Sequence, residues 1–112
     1  MMGLHPTSVK ENFKSELQHV KDWIDKKSFV AIGEIGIDLY WDKTFLAEQQ
    51  EAFKLQIQWA KQKNIPYLGK IPFDTRIGRK TDTGSLYYMD NKGSVTGKAI
   101  NSVVEKILKS IK

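Results

Sequence analysis

Two carboxylates, Glu34 and Asp38, stand four residues apart where an apolar run that starts at Phe29 gives way to a polar stretch. The run is typical of a strand buried on both faces, and α/β proteins gather their chemistry at the carboxyl ends of parallel strands. Carboxylate oxygens suit hard or borderline divalent cations such as Mg²⁺, Mn²⁺ or Zn²⁺. Glu34 is therefore a candidate metal ligand, and the alternative is an acid solvated at a strand end.

A working metal site needs more ligands than these two acids. Hydrolytic sites usually hold their metal with at least three protein ligands, histidines among them. The chain has two histidines, and His19 lies beside the apolar stripe of a predicted helix, as a surface residue would. The sequence contains no cysteine, which excludes disulfides, thiolate metal sites and thiol catalysis.

The spacing of apolar residues predicts three helices, at about residues 9–26, 45–63 and from Ser94 onward. Ser8 and Glu11 have the spacing of a capping box that would start the first helix. Its apolar stripe consists of Phe13, Leu17, Val20 and Ile24.

Strands are predicted at residues 28–35 and 67–73, with a long loop at 74–93 that includes a short extended piece at 86–89. The element order is then α-β-α-β-loop-α. It predicts an α/β fold: a small three-helix domain with a short parallel sheet built on a right-handed βαβ unit. Two strands make a poor sheet, and the last helix has a broad apolar face. We therefore expect a homodimer, which could also complete the sheet.

Length and charge set further limits. The 112 residues predict one domain, and its net charge of +5 arises entirely from residues 65–112, because residues 1–64 are neutral. Scattered lysines are typical of a solvated face, but binding of nucleic acid or a nucleotide stays open as an alternative. No apolar run reaches the roughly 20 residues that span a bilayer, and the start lacks signal-peptide features. These features predict a cytoplasmic protein that is not inserted in a membrane.

The stretch from Gly3 to Pro66 resembles an internal segment of the TatD family, which are metal-dependent deoxyribonucleases built on a TIM barrel. The resemblance is carried by GLHPTS, then FVAIGEIGIDLYWDKTFLAEQQEAF, then a helix ending in KNIP. It implies that Glu34 binds divalent metal (Mg, Mn or Zn), that His5 lies on the substrate side, and that Asp38 is an outer residue supporting the site.

Other parts of the family's pattern have no counterpart in this sequence. The family carries an HxH metal pair on its opening strand and a histidine ligand on the strand after NIP, where this chain has Gly69 and Lys70. One glutamate cannot hold two metals or activate a water for attack on phosphate. We therefore expect no catalytic residues, no bound cofactor, and a partly exposed Glu34 with no histidine close enough to share a metal.

Residues 64–112 resemble the C-terminal segment of MinD-like P-loop ATPases, through NIPYLGKIPFDTRI, TDTGSLYY and SVTGKAINSVVEKI. That resemblance implies that Pro72, Phe73 and Asp74 lie near a nucleotide base. The phosphate-binding loop is missing, since Lys98 after Gly97 lacks the P-loop spacing.

The two resemblances together predict a chimera of a TatD-like part, residues 1–65, and a P-loop-ATPase-like part, residues 66–112. On this interpretation the chain is a folding module without evolved activity. The alternative is a TatD-like metal-dependent deoxyribonuclease or phosphoesterase.

Overall fold

The computed structural model describes residues 1–111, which form two compact units. The first unit is Met1–Pro66, and the second begins at Tyr67. Each unit has its own helices.

The first unit is built on two helices, α1 (Phe13–Lys26) and α2 (Leu46–Gln62). The predicted stripe of α1 is confirmed, because Phe13, Leu17, Val20 and Ile24 are all buried. These four side chains share one core with Leu4, Val9 and Ala52, the last of which comes from α2. The unit is therefore held together by helix packing, and its amino-terminal segment is drawn into the same core.

The predicted capping box at Ser8 and Glu11 is wrong. Residues Pro6–Ser8 form a short 3-10 turn, and α1 begins only after Asn12. Ser8 is thus part of the turn and does not cap the helix. The turn has its own cap, the side chain of His5, which accepts a hydrogen bond from the backbone N–H of Thr7.

The predicted α/β fold with a parallel sheet is also wrong. Among the described residues there is no strand and no sheet, and residues 28–35 contribute only an isolated parallel bridge between Met2 and Ile32. Met2 donates its N–H to the carbonyl of Ala31, and its own carbonyl accepts from the N–H of Gly33. Val30, predicted to be covered on both sides, is 91% exposed. An apolar run becomes a strand only where neighbours pair with it over several residues, and this one has a single short contact.

That contact depends on a glycine. A Cβ atom built on Gly3 would lie 2.9 Å from the Cγ2 atom of Ile35 and 3.0 Å from the backbone N and C atoms of Gly33. Backbone atoms cannot move aside cheaply, so only glycine lets the two segments approach this closely. Gly3 therefore helps to set the separation of the residues that follow on each segment.

The second unit is helical where a strand and a loop are predicted. Residues 67–73 form no strand, and residues 74–93 contain α3 (Thr75–Asp82) and α4 (Tyr87–Asn91), followed by α5 (Val95–Ser110). The extended piece predicted at 86–89 is wrong, because these residues enter α4. Phe73 is 95% exposed, so this stretch has no neighbour against which to form a sheet.

A polar cluster around Asp74 organises these helices. Asp74 caps α3 through the N–H of Arg76, and its carboxylate also accepts from the guanidinium of Arg76 at 2.6 Å and the hydroxyl of Tyr87 at 2.7 Å. Tyr87 is buried, and its hydroxyl lies 3.1 Å from the Oγ of Ser94. The cluster thus links the starts of α3 and α5 through α4.

The predicted start of the last helix at Ser94 is confirmed. The Ser94 Oγ accepts from the N–H of Gly97 at 3.0 Å, which satisfies a free donor in the first turn. A Cβ on Gly97 would lie only 2.1 Å from the carbonyl oxygen of Asn91, so glycine allows α5 to pack on the end of α4. Within the described part of the chain, no helix has the length and apolar character needed to cross a membrane.

Acid should unfold the second unit through Asp74. Hydrogen bonds from Arg76, and then from Tyr87, hold the pKa of Asp74 well below its usual range. Because this pKa is depressed in the folded state, the unfolded chain binds more protons in acid, and the stabilisation present above pH ~4 is lost as the pH falls below that value. We expect faster amide hydrogen exchange in α3–α5 at pH 3 than at pH 7, after correction for the intrinsic rate.

The matched variants are Asp74→Asn and Asp82→Asn, the second of which changes an exposed aspartate of α3. Asp74→Asn should be less stable at pH 7 and should lose most of the pH dependence, whereas Asp82→Asn should behave like the unmodified chain. An unchanged pH dependence in Asp74→Asn would contradict the assignment.

Candidate functional site

The parallel bridge brings the two candidate residues of the first unit together. His5 follows Met2 by three residues and Glu34 follows Ile32 by two, so both side chains emerge just beyond the bridge. The Nε2 atom of His5 lies 3.7 Å from the Oε2 atom of Glu34, and the Glu34 side chain is 72% exposed. The expected exposure of Glu34 agrees with this, and the expectation that no histidine can share a metal with Glu34 now depends on the orientation of the His5 ring.

His5 has a defined ring orientation. Its Nδ1 atom faces the backbone N–H of Thr7 at 3.2 Å and the hydroxyl of Thr7 at 2.7 Å. A backbone N–H can only donate, so Nδ1 is the acceptor and the neutral ring carries its proton on Nε2. The N–H group of His5 is therefore the part of the ring directed at Glu34.

This orientation decides which residue fits a metal. The separation of 3.7 Å is shorter than two metal–ligand bonds of about 2.1 Å each, so distance alone would permit a shared ion. A protonated Nε2 has no lone pair to offer, however, and metal-bound histidine normally donates from its other nitrogen. Glu34 fits a divalent cation and His5, as oriented, does not. Among residues 1–111, no group of three or more histidine, aspartate or glutamate side chains is placed to hold a metal ion.

Asp38 lies in a loop that follows Glu34. Its backbone groups and its carboxylate make hydrogen bonds within the first unit. Its backbone N–H and carbonyl both bond to the side-chain amide of Gln49, at 2.8 and 3.0 Å. Its carboxylate accepts from the N–H of Tyr40 at 2.9 Å. One carboxylate oxygen is thus occupied within the loop, and the outer role assigned to Asp38 stays a prediction.

The same loop presents two aromatic rings to solvent. Tyr40 and Trp41 are both exposed and meet edge to face, with ring centroids 4.7 Å apart.

Asp42 closes the loop by accepting from the N–H of Thr44 and pairing with Lys10 at 3.4 Å. Hydrogen bonds from Thr44, and then the charge of Lys10, lower the pKa of Asp42. A small cleft of about 110 Å³ lies beside these residues and is lined by Thr7, Lys10, Asp38, Trp41, Asp42, Phe45 and Gln49.

The residues of the candidate site fall within a match to a known protein family. Residues 1–68 match the family model for TatD related DNase. The chain belongs to this family. The match covers the His5 turn, the bridge, Glu34 and α2, which are the elements that build the candidate site.

Two bacterial metal-dependent hydrolases are also similar to part of this chain. The chain is 36% identical over 67 residues to YabD of Bacillus subtilis, an uncharacterized metal-dependent hydrolase, a match covering 60% of this chain and 26% of that protein. It is 29% identical over 69 residues to YjjV of Escherichia coli, also an uncharacterized metal-dependent hydrolase, covering 60% of this chain and 27% of that protein. The chain thus spans about a quarter of the length of these relatives. No solved structure gives a significant match.

The TatD match ends at residue 68, two residues into the second unit, and nothing in the comparisons supports the resemblance to MinD-like ATPases. In the structure, Phe73 is almost fully exposed and Asp74 is occupied by Arg76 and Tyr87. Pro72, Phe73 and Asp74 line one open groove of about 520 Å³, and the residues that line it do not include Lys98, which lies on α5. A nucleotide role for Pro72, Phe73 and Asp74 stays a prediction.

The candidate site also depends on two glutamines that its sequence motifs do not indicate, namely Gln49 and Gln56. Both are buried on α2, and both bond to backbone groups of the candidate site. The available signal was their spacing of seven residues, which places them on one helix face with Ala52. A polar residue repeated on a buried face indicates backbone groups that need partners.

Replacing Glu34 tests the metal assignment. We expect Glu34→Ala to change the free energy of unfolding by less than about 0.5 kcal/mol, because the side chain is mostly exposed. Mn²⁺ should bind the unmodified chain weakly, with a Kd of about 1 mM or higher, since water keeps most coordination positions. Titration followed by the electron paramagnetic resonance of free Mn²⁺ should show this binding lost in Glu34→Ala and kept in Glu11→Ala. Micromolar affinity, or equal affinity in all three proteins, would contradict the assignment.

Proposed function

We propose that residues 1–68 carry the Glu34 corner of a TatD-type, metal-dependent phosphodiester hydrolase site, and that the chain alone is a folding module without evolved hydrolase activity. The observation that carries the first part is the position of Glu34, exposed beside the N–H of His5 at the end of the parallel bridge. Family membership supplies the reaction class.

The two side chains have complementary roles in this proposal. Glu34 would bind a divalent cation, which supplies Lewis-acid chemistry when bound. His5 would donate its Nε2–H to an anionic oxygen of the substrate, because its Nδ1 is held as an acceptor by Thr7. This role matches the substrate-side position that the family resemblance implies for His5.

The second part of the proposal follows from the ligand count. Phosphodiester hydrolysis by metal ions depends on a fixed coordination geometry, which one carboxylate cannot impose. The described residues provide no three-ligand group, and Gly69 and Lys70 stand where the family resemblance would place a histidine. Both features support a chain that binds metal weakly and does not turn over substrate.

We also propose that the chain is a chimera joined near residue 66. The TatD match ends at residue 68, the two compact units divide after Pro66, and the excess positive charge begins in the same region. A helix that ends before this point, α2, would keep its packing on the first unit whatever follows it. The MinD-like origin of the second part rests on the sequence resemblance alone.

A nuclease assay tests the absence of evolved activity. Single-stranded DNA and bis(p-nitrophenyl) phosphate would be incubated with Mg²⁺, Mn²⁺ or Zn²⁺ and with the unmodified chain, Glu34→Ala or Glu11→Ala. We expect equal background rates in all three. Metal-dependent cleavage that disappears in Glu34→Ala and persists in Glu11→Ala would overturn this part of the proposal and make the chain a working nuclease.

We propose that the expected homodimer forms through α5. Four apolar side chains with helical spacing lie along one face of the C-terminal half of α5 and the residue that follows it, and they are 41–74% exposed, namely Val104, Ile107, Leu108 and Ile111. An exposed stripe of this spacing packs well against a second copy of itself.

Sedimentation equilibrium tests the dimer. The unmodified chain should be dimeric at micromolar concentration, and Ile107→Lys should be monomeric because it places a charge in the stripe. Glu105→Lys adds the same residue outside the stripe and should leave the dimer intact. A monomer at all concentrations would contradict the proposal.

A further inference from the structure

Two buried side-chain amides on α2 stand behind the candidate site. Gln49 is 3% exposed and Gln56 is 1% exposed. A side-chain amide buried without hydrogen bonds is strongly destabilising, so buried amides are found where their hydrogen bonds are made. Each of these amides bonds to the backbone of a different segment of the site.

Gln56 holds the segment that ends in His5. Its Oε1 accepts from the N–H of Leu4 at 2.6 Å, and its Nε2 donates to the carbonyls of Ala52 and Leu4, at 3.2 and 3.4 Å. A regular parallel ladder continuing from the Met2–Ile32 bridge would instead pair the N–H of Leu4 with the carbonyl of Gly33. Gln56 thus takes the place of the next rung and fixes the backbone immediately before His5.

Gln49 holds the segment that follows Glu34. Its Oε1 accepts from the N–H of Asp38 at 2.8 Å, and its Nε2 donates to the carbonyl of the same residue at 3.0 Å. One amide therefore satisfies both backbone groups of Asp38, as a neighbouring strand would. The loop that presents Tyr40 and Trp41 starts from this anchored residue.

We propose that Gln49 and Gln56 are positioning residues, which set the site from α2 by bonding to the backbone. Gln56 fixes the ring of His5 relative to Glu34, and Gln49 fixes the loop of Asp38 and the aromatic pair. The hydrolase role of these segments rests on the proposed function, but the positioning itself is a property of the free chain.

The two glutamines serve as matched controls for each other, since both are buried on the same face of one helix. Gln49→Met and Gln56→Met each remove one amide and keep the side-chain length. His19 provides an internal reference, because it lies on α1 and carries no part of the site. The readout is the pair of ring ¹⁵N shifts of each histidine, which reports the tautomer, together with amide hydrogen exchange.

In the unmodified chain, His5 should show two well-separated ring ¹⁵N shifts, with the proton on Nε2. Gln56→Met should move these shifts toward a common averaged value and should speed exchange of the Leu4 amide by about tenfold or more, as the loss of one buried hydrogen bond implies. Gln49→Met should leave His5 unchanged and speed exchange at Asp38 and Tyr40. His19 should not change in either variant.

Equal effects of both variants on His5, or no effect of Gln56→Met in a chain that keeps its helical circular dichroism, would overturn the proposal. If Gln56→Met does not fold, amide hydrogen exchange in the unmodified chain still tests the proposal. A Leu4 amide that exchanges as fast as the amide of exposed Val30 would overturn the proposal. No metal or substrate is present in these measurements, so their failure is distinct from a failure of the hydrolase proposal.

Discussion

The first unit depends on how the backbone around Leu4 is hydrogen-bonded. This segment packs into a helical core, and residues 1–111 contain no neighbouring strand to pair with it. Leu4 is buried, and a buried backbone N–H must find an acceptor. In a sheet the neighbouring strand would provide it, but here the acceptor is the side chain of Gln56. This bond lets the segment before His5 lie against α1 and α2, and it ends the pairing with residues 31–33 after one bridge. The site begins where that pairing stops.

Two close contacts then determine the geometry of the site. Gly3 lets its segment approach Gly33, and the His5 side chain turns back to cap the residues that follow it. The cap is what orients the imidazole, since the same Nδ1 that accepts from Thr7 cannot also carry the proton. A local turn interaction thereby directs an N–H donor toward Glu34.

The sequence predicted the parts of this structure that depend on local chemistry. The α1 stripe, the extent of α2 and the Ser94 cap follow from apolar spacing and a capping side chain. The metal role that the family motif implies for Glu34 stays a prediction. The prediction of a sheet was wrong because a strand forms only where a second segment pairs with it. An apolar run such as 29–35 does not reveal whether such a partner is present. Helix α3 was missed although Asp74 is a local cap for it, because the second contact that holds Asp74 in place comes from Tyr87, 13 residues further along the chain.

The charges of the candidate site explain why a cation is central to the proposed function. Glu34 is an exposed carboxylate, and a phosphodiester brought beside it would meet repulsion between like charges. In the proposed site, a divalent cation held by Glu34 would reverse that sign, and the N–H of His5 would add a hydrogen-bond donor on the same side. Without the cation, His5 has Glu34 itself as its nearest anion, at 3.7 Å. In the free chain, His5 and Glu34 therefore make a weak contact with each other. In the proposed site the two side chains would separate, Glu34 to bind the metal and His5 to bind the substrate. The amides of Gln49 and Gln56 bond to backbone rather than to either side chain, so they hold the segments in place while both side chains stay free to change partners.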